Sequence, residues 1–237
     1  MRIMVIGYGK MGHEIEKAAI ERGHTISGII DVHNIGDLNS SLAEKTDVAI
    51  EFTTPSSVID NLFRCFKLGL PVVTGTTGWH DQLEEVKEKC KKENNSLFYA
   101  SNFSIGVNLF FVLNEQMAKI MNKFPEYDIS IEETHHTQKL DSPSGTAVSI
   151  ARIIEEQLTR KTGWKLGNAG KDEIPVKAIR SGDIKGIHKI QYESDNDYIE
   201  LTHKAKSRKG FAEGAVLAAE FLTGQKGVFT MRDLLGI

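Results

Sequence analysis

The segment Glu-Glu-Thr-His-His-Thr-Gln-Lys-Leu-Asp-Ser-Pro-Ser-Gly-Thr-Ala, residues 132–147, sets two imidazoles, His135 and His136, shortly before an ammonium, Lys139, and then reaches Ser-Pro-Ser-Gly-Thr ahead of an apolar run. Two titratable rings and a cation are the groups that deliver a proton and stabilise negative charge as it develops. Ser142 to Thr146 reads as a helix start. A serine caps the first amides, and the small Gly145 lets an anion approach the remaining ones closely, with Thr146 beside it. The chemistry this set suits is protonation of a small substrate that carries carboxylates.

Two other uses of the same residues compete. A metal site would need spaced His, Cys or carboxylate ligands, whereas neighbouring histidines on a strand chelate poorly and Lys139 adds positive charge, so no metal is expected. A pair of surface histidines with a solvated lysine is the bland alternative. The preceding Tyr-Asp-Ile-Ser-Ile-Glu-Glu-Thr-His-His alternates like a half-exposed strand, with Ile129, Ile131, Glu133 and His135 on one face. His135 and His136 then point to opposite sides and do different work.

A second constellation lies at the N-terminus. Gly7-Tyr8-Gly9-Lys10-Met11-Gly12 follows the apolar run Arg2 to Ile6 and opens a helical pattern that Gly23 stops. Glycines at 7, 9 and 12 permit the tight turn, the close backbone approach to a pyrophosphate and close helix–strand packing. Taken alone the motif also suits an ordinary strand–helix turn. Asp31 strengthens it, because an acid ending the second strand, 19 residues past Gly12, hydrogen-bonds the ribose hydroxyls of NAD. Gly75-Thr76-Thr77 and Ala100-Ser101-Asn102-Phe103 follow further strands of the same sheet, at the carboxyl ends where ligands of such sheets bind.

The elements that must position these residues alternate strictly at first. Strands read at 2–6, 25–31, 47–53, 70–78 (running into a glycine-threonine loop) and 96–100; a short polar link joins the second to the third and helical patterns separate the others, with Pro55 early in the helix after the third strand and a charged helix over 80–93. That order predicts a doubly wound, Rossmann-like parallel sheet. After Phe103 come an apolar helix over 106–122, the strand carrying His135, and a hairpin turning at Asp195-Asn196-Asp197. This is a second, α+β domain with antiparallel or mixed strands. The helix from Gly210 to Gly224 is expected to return to the first domain. The division predicted is 1–102 with 209–237 for the dinucleotide and 103–208 for substrate binding and oligomerisation.

Composition is that of an ordinary soluble globular protein: 40% apolar, 26% charged and a net charge of −3 in 237 residues. The charge gives no support for nucleic-acid binding. No window reaches the roughly 20 apolar residues of a membrane span. Cys65 and Cys90 fit no metal or redox spacing and read as free thiols of a reducing, cytoplasmic compartment.

Residues 132–147 closely resemble the signature of the dihydrodipicolinate (4-hydroxy-tetrahydrodipicolinate) reductases, E-x-H-H-x-x-K-x-D-x-P-S-G-T-A. Gly-Tyr-Gly-Lys-Met-Gly, Gly-Thr-Thr-Gly, Ser-Asn-Phe-Ser-Ile-Gly-Val-Asn, Thr-His-Lys-Ala-x-Ser-Arg and Gly-Val-Phe-Thr-Met-Arg-Asp-Leu-Leu extend the resemblance over nearly the whole chain. It implies an NADH- or NADPH-dependent reductase of the diaminopimelate route to lysine. His135 would be the acid/base residue and Lys139 the proton donor. His136, Gly145 and Thr146 would hold the dicarboxylate, while Gly75 to Thr77 and Ala100 to Phe103 would line the nicotinamide. Members are typically homotetramers joined through the sheet of the middle domain. Two departures stand out. The segment from Asp31 to Asp47 is shorter than in many members, and Val32 replaces a frequent arginine, which argues for NADH at least as good as NADPH. A non-catalytic dinucleotide sensor is the rival from another class, but a sensor has no use for Lys139 and His135 together.

Overall fold

A computed structural model describes residues 1–207 and 209–237, which form two compact units, Met1–Ile105 with Lys209–Ile237 and a second one within Gly106–Arg208. In the first unit β1 (Arg2–Ile6), α1 (Lys10–Glu21), β2 (Thr25–Ile30), the single-turn α2 (Ser40–Ala43), β3 (Val48–Glu51), α3 (Val58–Lys67), β4 (Val72–Thr74), α4 (Leu83–Lys92) and β5 (Ser96–Tyr99) follow in turn. The second unit takes most of α5 (Ile105–Met121), then β6 (Asp128–His135), α6 (Gly145–Gln157), β7 (Gly163–Leu166), β8 (Glu173–Arg180), β9 (Ile187–Glu193) and β10 (Tyr198–Lys204). The chain ends in the first unit with α7 (Lys209–Leu222), β11 (Gly227–Phe229) and α8 (Met231–Leu235).

The first sheet is parallel throughout, in the order β11-β5-β4-β3-β1-β2. Its strands bury both faces. Ile3, Val5, Val48, Ile50, Val73 and Phe98 pack with α1 and α7 on one side, and Met4, Ile6, Ala49, Val72 and Leu97 pack with α3 and α4 on the other. Alternate residues of one strand thus serve two cores, which is why these strands read as continuous apolar runs. The chain order reverses between β1 and β3, and a crevice at such a switch point is the usual ligand site.

β1 has the bounds read from the sequence, whereas β2 to β5 are shorter than their apolar runs suggest. Pro55 precedes α3 rather than entering it: the Thr54 carbonyl accepts from both Ser57 N–H and Val58 N–H at 3.1 Å, closing a turn in which a missing donor is harmless. β11 extends the sheet by pairing with β5, a strand that three residues of sequence do not announce.

The second sheet is mixed, in the order β10-β9-β6-β8-β7. β6 pairs antiparallel with β9 but parallel with β8, with α6 lying between those two in the chain, and β8 also pairs parallel with β7. Ile129, Ile131, Ile174, Val176, Ile190 and Tyr192 face α5 and α6 in its core. β6 has the predicted alternation, with Ile129, Ile131, Glu133 and His135 buried. Among the described residues no helix is long and apolar enough to cross a membrane. Cys65 and Cys90 are buried, unpaired thiols.

Candidate active site

The second unit gathers the chemistry of residues 132–147. β6 ends at His135, so its ring sits where the strand meets the loop that carries Lys139. Glu133, two residues earlier on the same face, is fully buried and accepts the His135 Nδ1–H. The same carboxylate accepts from Arg180 Nη2 at 2.8 Å and from the Ser144 backbone N–H at 3.2 Å. One side chain therefore ties together the ends of β6 and β8 and the start of α6. Burial opposes ionisation of Glu133, but the His135 and Arg180 bonds outweigh it and bring the carboxyl down to about 2.

His188 on β9 completes the group. Its ring meets that of His135 edge-on, centroids 5.2 Å apart, and its Nε2 lies 3.1 Å from Ser144 Oγ. Burial, and the neighbouring His135, lower its pKa to about 3, so it stays a neutral ring within hydrogen-bond distance of the serine hydroxyl. Ser144 Oγ in turn accepts from Ala147 N–H at 3.2 Å as the N-cap of α6. Beyond Gly145 a Cβ would meet no atom within 4 Å, which leaves the first turn of α6 approachable. The leading amides of a helix have no partners within it and favour an anion.

Lys139 donates to both oxygens of Asp141, at 2.7 and 2.8 Å, so the expected proton donor is held by a carboxylate from its own loop. Burial raises the Asp141 pKa, but the Lys139 bond prevails and holds the carboxyl below its usual range. His136 lies just past the end of the strand. Its Nδ1, with His188 Nδ1 and Arg180 Nε, is buried and has no hydrogen-bond partner among the described residues. Gly186 passes over His135: a Cβ there would come within 3.1 Å of Nε2.

Glu133, His135 and His188 hold donor atoms within 4.8 Å of one another, the spacing of a metal site. Each already has a use in the hydrogen bonds above, and the Arg180 guanidinium on Glu133 supplies the positive charge a cation would bring. The set is better suited to orienting an imidazole than to ligating a metal.

The first unit holds a cleft of about 600 Å³ at the switch point, lined by Gly7, Tyr8, Gly9, Asp31, Thr53 and Arg64 among others. A Cβ at Gly7 would lie 2.1 Å from the Phe52 carbonyl oxygen, and one at Gly12 2.3 Å from that of Gly7, so both glycines are required by backbone packing. Gly7 also has φ +91°. Gly9 has open space and caps α1 without a side-chain bond, the arrangement that presents amides to a phosphate. Lys10 and Met11 open α1 itself. Tyr8 hydroxyl donates to Glu16, and its ring stacks on His13 at 3.9 Å, folding the loop back over the helix. Asp31 stands just past β2 and its Oδ1 accepts the Val32 N–H at 2.8 Å. These residues fit a dinucleotide.

Gly75 to Thr77 and Ala100 to Phe103 are not among the residues lining this cleft. Thr76 reaches it indirectly, accepting the Thr53 N–H at 2.8 Å. The Phe103 side chain is 2% exposed and packs with Phe52 and Phe98, and its carbonyl would lie 1.8 Å from a Cβ at Gly214. Sequence reading missed Arg180, His188, Gly186 and the role of Glu133. A signal existed for His188, which shares the buried alternation of Ile190 and Tyr192 on β9. None existed for Arg180.

Comparison with known proteins agrees with these features. Residues 1–103 match the family described as dihydrodipicolinate reductase, N-terminus, and residues 106–235 its C-terminus. A protein of Christiangramia forsetii named 4-hydroxy-tetrahydrodipicolinate reductase is 48% identical over 99% of this chain and 98% of its own. One of that name from Methanopyrus kandleri is 39% identical over 82% of this chain and 73% of its own. In fold, the chain resembles a dipicolinate-bound dihydrodipicolinate reductase from Paenisporosarcina sp. TG-14, with TM-score 0.76, 24% identity and 97% of each chain covered.

Proposed function

Since this chain belongs to the dihydrodipicolinate reductase family, we propose that it reduces 4-hydroxy-tetrahydrodipicolinate to tetrahydrodipicolinate with NADH or NADPH, in the diaminopimelate branch of lysine biosynthesis. The observation that carries the site assignment is the Glu133–His135 pair beside the open first turn of α6. Gly7, Gly9, the first turn of α1 and Asp31 would hold the dinucleotide, with Gly75 to Thr77 and Ala100 to Phe103 towards its nicotinamide. Bound there, the nicotinamide supplies the hydride.

The chain's own residues handle the rest. Gly145 and Thr146 amides, with His136, take a substrate carboxylate at the positive end of α6. Glu133 accepts from Nδ1 and so fixes the His135 tautomer and ring orientation, which commits Nε2 to the substrate. Water leaves the 4-hydroxy substrate to give the conjugated ring that takes the hydride; Lys139 Nζ delivers the proton as negative charge grows on that ring, and its ammonium stabilises that charge beforehand. Arg180 keeps Glu133 ionised and its geometry fixed.

We propose NADH as at least as good a hydride source as NADPH. Asp31 suits a 2′-hydroxyl and repels a 2′-phosphate, and Val32 offers no compensating charge. The chain is proposed to work in the cytoplasm as a homotetramer joined through the second sheet, whose outer strand β10 leaves Tyr198 and Ile199 exposed. The activity test mixes the protein with NADH and freshly prepared substrate and follows absorbance at the nicotinamide band. Substrate-dependent loss of that band is expected, and its absence sinks the proposal.

A further inference from the structure

The first unit contains a second fully buried carboxylate, with no part in the chemistry above. Glu51, the last residue of β3, accepts from Thr53 Oγ1 at Oε1, and from Thr74 Oγ1 at 2.6 Å and Thr76 Oγ1 at 2.9 Å at Oε2. Asn61 Nδ2 of α3 lies 3.5 Å from Oε1. Burial pushes the Glu51 pKa up, and the three hydroxyls and Asn61 work against it.

An ionised carboxylate only accepts, so it fixes the direction of every proton around it. The Thr76 hydroxyl, having spent its proton on Glu51, accepts the Thr53 N–H at 2.8 Å. The Thr53 hydroxyl, oriented in the same way, accepts from Ser57 Oγ at 3.0 Å and Asn61 Nδ2 at 3.4 Å. The loops after β3 and β4 are thereby locked together through Thr53.

Phe52 transmits that lock. A Cβ on Gly7 would lie 2.1 Å from the Phe52 carbonyl oxygen, and one on Gly75 would lie 2.2 Å from the Phe52 ring. The glycine loop, the Phe52–Thr53 peptide and the Gly75 turn are stacked with no slack. Gly7, Phe52 and Thr53 all line the cleft. A small shift at Thr53 moves all three loops.

We infer that Glu51 is a positioning residue for the dinucleotide: its acceptors set the place of Thr53 and Phe52, and through them the shape of the cleft at Gly7 and Gly75. This rests on the reading of the cleft as the NAD(P)H site.

Glu51→Gln tests it. The amide keeps the shape but has one acceptor oxygen, so one side of the group turns donors towards hydroxyls that are already donating. The quantities to measure are Kd for NADH and, separately, for dipicolinate, together with kcat and the melting temperature. The expected result is an NADH Kd raised about tenfold, the scale of one buried polar mismatch, with dipicolinate binding and kcat at saturating NADH nearly unchanged. Thr74→Val, which removes one donor and preserves volume, should weaken NADH by about threefold and decides the matter if Glu51→Gln does not fold. Unchanged NADH affinity in the folded variant overturns the inference. Equal losses for NADH and dipicolinate overturn it too, because they mark general damage. Failure of the unmodified protein to bind NADH would instead refute the reading of the cleft.

Discussion

Glu133 and His135 stand two residues apart on one face of β6, and the fully buried carboxylate takes the imidazole's Nδ1–H while Arg180 Nη2 holds its other oxygen at 2.8 Å. The strand period places them together, and burial makes the pairing obligatory, because an ionised carboxyl without partners is costly in the interior. The histidine is consequently held in one tautomer.

Glu133→Gln should lower kcat by roughly 10²-fold, since the amide no longer favours the Nδ1–H tautomer and a misplaced general acid–base residue loses a contribution of that size. NADH affinity should be unchanged. The pair also predicts acid sensitivity. The folded carboxyl titrates at about 2 against an ordinary 4.5, so its stabilisation is complete above pH 4.5 and disappears as pH falls towards 2. Melting temperatures measured across that window should fall more steeply for the native protein than for Glu133→Gln. Parallel curves would show that the carboxyl is not held in this way.

Lys139 and His135 are expected to act as one unit. Lys139→Ala should depress kcat by about 10²–10⁴, the usual loss for a positioned proton donor. His136→Ala should act on substrate KM. Adding His135→Ala to Lys139→Ala should cost little more, because groups that work together are non-additive. A double-mutant loss equal to the product of the single losses would mean independent roles.

Gly145→Val should raise KM for substrate and leave NADH affinity alone. The Cβ position is empty for 4 Å, so the fold tolerates the change, while the branched side chain shields the first turn of α6 from an anion. A parallel loss of both affinities would argue against a carboxylate at that turn.

Cofactor preference turns on Asp31. We expect kcat/KM for NADH to equal or exceed that for NADPH, and Asp31→Ser to shift the ratio towards NADPH by about tenfold as the repulsion of a 2′-phosphate is lifted. Arg64 lines the same cleft, with Nη1 3.4 Å from the Ile35 carbonyl. It is the guanidinium available to a 2′-phosphate if the preference proves weak. A native preference of tenfold or more for NADPH would reverse the assignment.

The first sheet was readable because β1, β3, β4 and β5 are apolar on both faces and each is followed by a glycine or polar loop. Local signals also placed His135, Lys139 and the start of α6, all within sixteen consecutive residues. What could not be read is what long-range pairing brings in. Arg180 reaches Glu133 only because β8 lies beside β6 in parallel register, His135 opposite Arg180. His188 reaches Ser144 because β9 flanks the other side. Glu51 looks like the polar end of a strand until Thr74 and Thr76 arrive from β4 and the loop beyond it. The Arg180–Glu133 pair joins residues far apart in sequence, and nothing local marks it.

The first unit is assembled from both ends of the chain. α7 fills one face of its sheet with Ala212, Ala215, Val216, Ala219 and Leu222, and β11 supplies its edge. During synthesis on the ribosome, the residues of the second unit emerge complete while the first unit still lacks this helix and strand. The second unit is therefore free to fold first, and the first unit waits with an uncovered apolar face until α7 and β11 emerge. A chain cut short after residue 208 would be a target for chaperones and proteases, not a smaller working enzyme.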